Sequence, residues 1–318
     1  MDIRLKLIVL RKGENDMNYY NQIKELFISN EIYKKVKDYS KNKNDVETYY
    51  NAGKLIVKAQ GGEARAKYGE NLIKEYSSKL INELNDKKYS YRNLMSMRKF
   101  YLLFRNEKVN ALRSQLSWSH YRELLKLNNY DEIKYYIDIT IKSNIGYREL
   151  QSKIKNNEYE RLPIETRNKL INEEKLEVKD LVPNPILIRN KNNIEIITEK
   201  VLQNLILEDI ESFMKELGNS FCFVGSQYKI KIGDTYHKID LLLFNIEYNA
   251  YVVIELKITE FKVEYISQVQ KYMNYIDRNI KKINNNNTIE IIICRKENRF
   301  VIEYCSNIRI TIREYELV

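Results

Sequence analysis

The stretch YHKIDLLLFNIEYNAYVVIELKI, residues 236–258, decides the fold of the second half of the chain. It consists of two apolar runs separated by a polar turn, which is typical of a β-hairpin. Asp240 lies in the first run, and Glu255 and Lys257 lie in the second. Ionised carboxylates in buried strands cost free energy unless a positive group meets them. The stretch therefore indicates a functional site as well as a β-sheet.

The turn predicts how the two strands pair. If residues 246–249 form the loop, the antiparallel register places Asp240 directly opposite Glu255, with Cβ atoms about 5 Å apart. Lys257 shares the face of Glu255, because side chains alternate along a strand. A shift of one residue would move the two carboxylates to opposite faces, so this prediction depends on the turn.

Two opposed carboxylates repel each other, and a divalent cation would relieve the repulsion. Mg²⁺ binds a few carboxylate oxygens and keeps several waters. Such an ion activates a water and neutralises charge on a phosphodiester, and Lys257 would stabilise the charge that develops. The alternative is a surface hairpin in which Lys257 forms a cross-strand salt bridge. The apolar flanks of both acids favour the buried site.

The composition is that of a globular protein, with 43% hydrophobic and 31% charged residues among 318. This length suits one large domain or two ordinary ones. The three cysteines form no C-x-x-C pair, which favours reduced thiols over a disulfide scaffold. No apolar run approaches the roughly 20 residues of a membrane span, and the N-terminus does not resemble a signal peptide. These features predict a cytoplasmic protein with no membrane partner.

The charge is distributed unevenly along the chain. The formal net charge is +10; residues 1–180 carry all of it, and residues 181–318 sum to zero. Residues 87–113 alone hold eight basic residues and one acidic residue. A basic half beside a neutral half is typical of a protein that holds a polyanion with one region and acts on it with another. The alternative, a coding bias toward Lys, would raise basicity in both halves.

The first half shows the periodicity of short amphipathic helices, including residues 68–85 and 90–104. Ser90 is the predicted N-cap of the second of these. Short helices with one strongly basic member fit a helix-turn-helix or winged-helix module, although no wing hairpin is evident. We therefore predict a mainly helical, basic, DNA-binding domain over residues 1–160.

The pattern changes in the second half. Residues 161–194 lose the periodicity and contain all three prolines, so we predict a linker there, which includes a short helix near 166–177. Residues 195–318 form the second predicted domain. It begins with one helix near 196–217 that ends at Gly218, and strand-like runs follow with a further helix near 263–282. This order of elements predicts an α/β fold.

Longer motifs indicate a family. The nuclease domain of the YhcG-like family, within the PD-(D/E)XK superfamily, is similar to the segments FCFVGSQYKIKIG, YHKIDLLLFN and YVVIELKITEFKVEYISQVQKYMNYI. The N-terminal domain of that family (DUF1016 type) is similar to GKLIVKAQGGEARAKYGENLIKEYSSKL, YRNLMSMRKFYLLF and LSWSHYRELL. The resemblance extends over about residues 45–318.

The resemblance implies a restriction-endonuclease-like mixed sheet flanked by helices. It also implies a metal-dependent phosphodiesterase that acts on DNA, with Mg²⁺ or Mn²⁺ as the cofactor. Asp240 matches the metal-binding aspartate of the family, and Glu255 and Lys257 match its E-x-K pair as metal ligand and catalytic lysine. The sequence departs from the superfamily pattern at Ile239, where a proline is usual.

The same resemblance implies three supporting residues. Glu208, on the helix before the first strand, matches the position of an auxiliary acidic metal ligand. Gln268 matches a glutamine on the helix after the E-x-K strand, and Gln227 matches the glutamine of the F-V-G-x-Q strand. Each also has a simpler interpretation, as a solvent-facing helix residue for Glu208 and Gln268 and as a backbone hydrogen-bond partner for Gln227.

Six basic residues of the first half are the candidates for phosphate contacts. They are Arg92, Arg98, Lys99, Arg105, Lys108 and Arg113. The alternative is an ordinary solvated helix face. We interpret Trp118 as a core residue rather than a platform for base stacking.

Other functions remain open at this point. A non-catalytic DNA-binding or complex-assembly protein would keep the nuclease fold as a scaffold, although such a protein would gain stability by losing the charge cluster. An RNA-directed nuclease is a further alternative. A homodimer would suit cleavage of both strands, but the sequence contains no dimer signal.

Overall fold

The structure is a computed structural model that describes residues 18–32, 41–62, 70–105, 116–218, 220–297 and 309–318. The chain divides into two compact units, Met1–Ile154 and Lys155–Val318. Among the described residues, Cys222 and Cys294 are free thiols, and no helix is long and apolar enough to cross a membrane.

The regular elements described in the first unit are all helical. They are α1 (18–32), α2 (Lys41–Ala59), α3 (Glu70–Leu84), the 3₁₀ turn Lys87–Tyr89, α4 (Tyr91–Phe104), α5 (Trp118–Leu124), α6 (Tyr130–Lys142) and α7 (Tyr147–Lys155). Helices α3 and α4 confirm the two helices predicted from periodicity. Ser90 occupies the N-cap of α4, but its side chain makes no capping hydrogen bond. The helix-turn-helix assignment stays a prediction.

Helices α2 and α4 pack closely at the centre of this unit. Gly53 of α2 permits the approach, since a Cβ atom there would lie 2.1 Å from the carbonyl oxygen of Met97. Trp118 packs on Phe100 and Tyr49, with ring centroids 5.5 and 4.9 Å apart. The interpretation of Trp118 as a core residue is therefore confirmed.

The described residues of the second unit form a mixed sheet and its flanking helices. The strands are β1 (Ile186–Ile188), β2 (Phe221–Ile232), β3 (Thr235–Asn245), β4 (Ala250–Leu256), β5 (Ile289–Cys294) and β6 (Ile310–Leu317). The helices are α8 (Glu158–Arg161), α9 (Ile164–Ile171), α10 (Val178–Leu181), α11 (Glu199–Glu208), α12 (Ile210–Leu217) and α13 (Glu264–Asn279). The strand order is β1-β6-β5-β4-β3-β2.

The sheet combines a meander with a parallel crossover. Strands β2, β3 and β4 are antiparallel neighbours, whereas β4, β5, β6 and β1 run parallel. Leu205 of α11 belongs to the core on one face, with Leu241 and Ile254. Tyr272 of α13 belongs to the core on the other face, with Val253. The predicted α/β sheet flanked by helices is confirmed.

The helix predicted near 196–217 is two helices. Asp209, between α11 and α12, has φ −135° and ψ 52°, outside the helical region. Its carboxylate accepts a hydrogen bond from the Ser212 N–H at 3.3 Å and pairs with Arg189 and Lys191 at 3.1 and 2.9 Å. The local capping of α12 thus interrupts a continuous apolar periodicity.

The predicted linker, residues 161–194, contains regular structure. It includes α9, α10 and the edge strand β1, which pairs parallel to β6 with Ile186 opposite Tyr315. Arg161 donates to the carbonyl of Pro185 at 2.6 Å and pairs with Glu216. The position of the domain boundary itself stays a prediction.

Candidate active site

Strands β3 and β4 pair in the predicted register. Leu241 lies opposite Ile254, and the pairing continues to the turn at residues 246–249. The register prediction is therefore confirmed. The ladder between the two strands ends at this pair, so Asp240 and Glu255 lie where β3 and β4 cease to pair.

The Asp240 carboxylate is held from two sides. Its Oδ2 accepts a hydrogen bond from the Leu256 N–H at 2.9 Å, and its Oδ1 accepts one from Gln227 Nε2 at 3.2 Å. The backbone carbonyl of Asp240 accepts from Gln203 Nε2 at 2.9 Å. Burial raises the pKa of the Asp240 carboxyl, although the hydrogen bond from Leu256 opposes this rise. The carboxylate is oriented but costly to ionise.

Glu255 is the more deeply buried acid, with 3% of its surface exposed. Its Oε1 accepts hydrogen bonds from Lys257 Nζ and Gln268 Nε2, both at 2.7 Å. Its Oε2 is buried without a hydrogen-bond partner among the described residues. Burial first, and then the charge of Asp240, raise the pKa of Glu255 to about 7. One of its oxygens is therefore fixed, and the other lacks a donor.

Lys257 supplies the positive charge of the cluster. Its ammonium lies 3.7 Å from Glu199 Oε1 and 5.2 Å from the ring centroid of Tyr265, in addition to its bond to Glu255. Burial by itself would lower the pKa of Lys257, but the hydrogen bond and charge of Glu255 outweigh burial, and the pKa is raised. The side chain is therefore a cation at neutral pH.

Helix α13 contributes Gln268. Its Nε2 lies 2.7 Å from Glu255 Oε1 and 3.0 Å from the hydroxyl of Tyr272, one helical turn further on. The structure thus brings together five of the site residues predicted from the sequence. They are Asp240, Glu255, Lys257, Gln268 and Gln227.

The structure does not bring Glu208 to this cluster. Glu208 is exposed at the last residue of α11, and Glu199, at the first, is the one near Lys257. Nine residues of helix separate the two by about 13 Å. Sequence reasoning also missed Gln203, whose Oε1 accepts from Gln227 Nε2 at 3.0 Å. The N-cap Thr198, which marks the start of α11, was the available signal for Glu199.

Glu290 of β5 is a further residue that sequence reasoning missed. It is completely buried, and neither carboxyl oxygen has a hydrogen-bond partner among the described residues. Because Glu290 pairs with Val253 and Glu255 pairs with Ile292 in a parallel ladder, Glu290 and Glu255 share a face. Burial, and then the charge of Glu255, raise the pKa of Glu290 well above its usual value.

Two of the predicted phosphate contacts in the first unit make hydrogen bonds inside that unit. Arg98 Nε donates to Gln60 Oε1 at 2.5 Å. Lys99 Nζ donates to the carbonyls of Leu125 and Leu127, just after α5. These bonds give both side chains a structural role.

The other predicted phosphate contacts have different positions. Arg92 is exposed on α4, and Arg105 is exposed at the C-cap of that helix. Lys108 and Arg113 lie outside the described residues. Lys99 is exposed as well, so the members of the set with exposed side chains in the described part of the chain are Arg92, Lys99 and Arg105, and Lys99 is the one whose ammonium is already hydrogen-bonded to backbone carbonyls.

The carboxylates fit a divalent cation. No group of three His, Cys, Asp or Glu side chains that suits a metal ion occurs in the described part of the chain. Mg²⁺ commonly uses one or two carboxylates and keeps its remaining waters. Asp240 and Glu255 supply that number, and Glu255 Oε2 is an acceptor without a donor. This oxygen is therefore suited to bind a hard cation such as Mg²⁺.

The family follows from comparison with known proteins. Residues 180–318 match the family model "YhcG PDDEXK nuclease domain", and residues 28–161 match the model "DUF1016 N-terminal domain". The chain belongs to the YhcG-like family of PD-(D/E)XK nuclease-domain proteins. An Escherichia coli (strain K12) relative named "Putative nuclease YhcG" is 26% identical over 287 residues, covering 79% of this chain and 76% of that protein.

Two solved structures show a weak likeness. The crystal structure of a repair endonuclease from Pyrococcus abyssi has a TM-score of 0.27 and 17% identity, and the likeness covers 38% of this chain and 48% of that one. The structure of an EndoMS-dsDNA2 complex has a TM-score of 0.27 and 15% identity, over 41% and 48% of the two chains. This chain thus spans about half the length of each, and likenesses at this score carry no argument about function.

Proposed function

We propose that the chain is a DNA endonuclease that hydrolyses phosphodiester bonds with the help of Mg²⁺ or Mn²⁺. The observation that carries the proposal is Glu255 Oε2, a buried carboxylate oxygen without a donor, beside the second carboxylate of Asp240. An unsatisfied buried acceptor costs about 1–3 kcal/mol, and a cation would offset that cost. The nuclease family of residues 180–318 supports the reaction class.

Asp240 and Glu255 are the proposed ligands of the cation. When bound, the ion would neutralise charge on the scissile phosphate and make a bound water more acidic. Leu256 N–H and Gln227 hold the Asp240 carboxylate, and Gln268 holds that of Glu255. Both oxygens of Asp240 and one oxygen of Glu255 are thus held, which limits the rotation of each carboxylate. Such preorganisation lowers the cost of orienting ligands during the reaction.

Lys257 is the proposed electrostatic catalyst. Its ammonium stays charged because Glu255 lies 2.7 Å away. A cation that is already desolvated and oriented stabilises negative charge on a phosphate without further reorganisation. Lys257 would therefore stabilise the charge that develops on the phosphate oxygens.

The first unit is the proposed holder of DNA. Residues 87–113 contain eight basic residues and one acidic residue, and Arg92 and Arg105 have exposed side chains there. Phosphate contacts of this kind bind a duplex without reading its sequence. The same proposal places the protein in the cytoplasm.

Supercoiled plasmid and structured RNA, incubated with Mg²⁺, with Mn²⁺ or with EDTA, test the proposal. We expect nicked or linear plasmid only when a cation is present. Asp240→Asn and Glu255→Gln should each abolish cleavage, because each removes a proposed ligand charge. Glu208→Gln is the matched control, since Glu208 is an exposed acid on the neighbouring helix.

Each contrary result has a defined meaning. Cleavage at the normal rate by both ligand variants would refute the assignment of the site. Cleavage of RNA alone would identify an RNA-directed nuclease. DNA binding without cleavage under any cation would favour a non-catalytic scaffold.

A further inference from the structure

Strands β2 and β3 continue beyond the sheet as a two-stranded ribbon. The pairing of β3 with β4 ends at Leu241, whereas the pairing of β3 with β2 continues to Thr235 opposite Ile232. We call residues 227–240 the β2–β3 ribbon. Asp240 lies at its base, so the ribbon extends directly from the candidate active site.

The two faces of the ribbon differ in chemistry. Ile230 and Ile239 are buried, and they pack in one core with Tyr272 and Ile276 of α13. This packing supports the ribbon along one side. The other face, which we call the outer face, carries exposed side chains. They are Lys229, Lys231, Tyr236 and Lys238.

The outer face concentrates positive charge at a cost to the ribbon. Lys229 lies directly opposite Lys238, and like charges in a cross-strand pair are destabilising. Asp234, in the turn, is the single acidic residue between Gln227 and Ile239. The ribbon therefore supplies almost no carboxylate to offset three ammonium groups.

Tyr236 organises two of these ammonium groups. Lys229 Nζ lies 5.2 Å and Lys231 Nζ 5.7 Å from its ring centroid. Cation–π contacts at this distance hold a lysine near the ring without neutralising its charge. The lysines are thus gathered on one face and keep their charge for a partner.

We infer that the outer face of the β2–β3 ribbon binds the phosphate backbone of duplex DNA beside the scissile bond. The inference rests on the proposed function and extends it by assigning a second DNA surface, in the unit that carries the active site. A two-stranded ribbon fits the major groove of B-DNA. Lys238 is two residues from Asp240, about 7 Å along the strand. A duplex on this face would place a phosphate within reach of the carboxylates.

The test measures binding without cleavage. Anisotropy of a labelled DNA duplex is followed with the full chain in EDTA over a range of salt concentrations. The ribbon variant is Lys229→Gln/Lys231→Gln/Lys238→Gln. Each lost phosphate contact lowers the slope of log affinity against log salt by about 0.9, so we expect a loss of about three.

Two further variants make the result specific. The control, Lys175→Gln/Lys215→Gln/Lys282→Gln, removes the same charge from exposed lysines elsewhere in the second unit and should leave the slope unchanged. The ribbon variant with Arg in place of each of its three lysines keeps the charge and should bind as the unaltered protein does. Circular dichroism melting confirms that each variant is folded.

The outcomes separate the inference from the proposed function. Unchanged affinity and slope in the ribbon variant would overturn the inference, and so would an equal loss in the control. The inference would also be overturned if the ribbon variant lost affinity for duplex RNA but not for duplex DNA. If no cation supports cleavage but the ribbon variant still loses DNA affinity, the surface stands and the hydrolytic proposal fails.

Discussion

The raised pKa of Glu255 links the stability of the second unit to pH, and this link is measurable in metal-free protein. Burial and the charge of Asp240 make the folded state hold the Glu255 proton more tightly than the unfolded chain does. As the pH rises from 4.5 to about 7, the unfolded chain releases the proton first. The free energy of unfolding therefore falls over this interval, and Glu255 adds no further change above it.

The size of the effect follows from the pKa values. A rise from 4.5 to about 7 corresponds to roughly 3 kcal/mol, since each pKa unit is worth about 1.4 kcal/mol. The pKa values of Asp240 and Glu290 are also raised, so their contributions have the same sign. We expect Glu255→Gln to remove the Glu255 part and leave a shallower dependence on pH.

The assay is urea unfolding in EDTA at a series of pH values, followed by far-ultraviolet circular dichroism. The single tryptophan, Trp118, belongs to the first unit, so its fluorescence would report that unit instead. Adding Mg²⁺ above pH 7 should restore stability, because a ligand that binds only the folded state stabilises it.

Glu208→Gln serves as the control for this measurement, since it removes an exposed carboxylate of the same unit. It should retain the full dependence of stability on pH. A free energy of unfolding that is flat or rises between pH 4.5 and 7 would refute the reasoning, as would an unchanged slope in Glu255→Gln.

Three other substitutions have defined outcomes. Glu199→Gln should weaken Mg²⁺ binding and cleavage more than Glu208→Gln, because only Glu199 lies near Lys257; calorimetric titration with Mg²⁺ measures the first effect, and equal effects would contradict it. Asp209→Ala should destabilise the second unit by about 1 kcal/mol in urea unfolding, since it removes the cap of α12; no change would count against the capping role. Glu290→Leu should raise the free energy of unfolding by about 1–3 kcal/mol, because it removes a buried carboxyl without a partner; a clear loss of stability would contradict this.

The hairpin register was predictable because two local signals agree. The polar turn at residues 246–249 set the pairing, and the apolar runs on both sides fixed which residues face inward. The positions of Asp240, Glu255 and Lys257 followed from these signals alone. The resemblance to the family added Gln227 and Gln268, which no local pattern identifies.

The features that the sequence did not predict depend on contacts between distant segments. Strand β1 has three residues and pairs with β6 about 130 positions later, so no local periodicity marks it. Glu199 rather than Glu208 lies near Lys257 because the N-terminal end of α11 is the end that approaches the site. Helical periodicity is the same at both ends of α11, so the sequence pattern could not distinguish the two residues. Glu290 lies in the run IEIIIC, where its burial depends on the neighbours of β5.

The end of the β3–β4 ladder has a consequence for how the site tolerates change. Asp240 of β3 and Glu255 of β4 lie at the point where the two strands cease to pair. The backbone N–H of Leu256 in β4 donates a hydrogen bond to the carboxylate of Asp240 in β3. The geometry of the candidate site is therefore set by the sheet rather than by a loop. Insertions in the surrounding turns would leave this geometry intact. A single residue added within β3 or β4 would disrupt it, because the side chains beyond the insertion would move to the opposite face of the sheet.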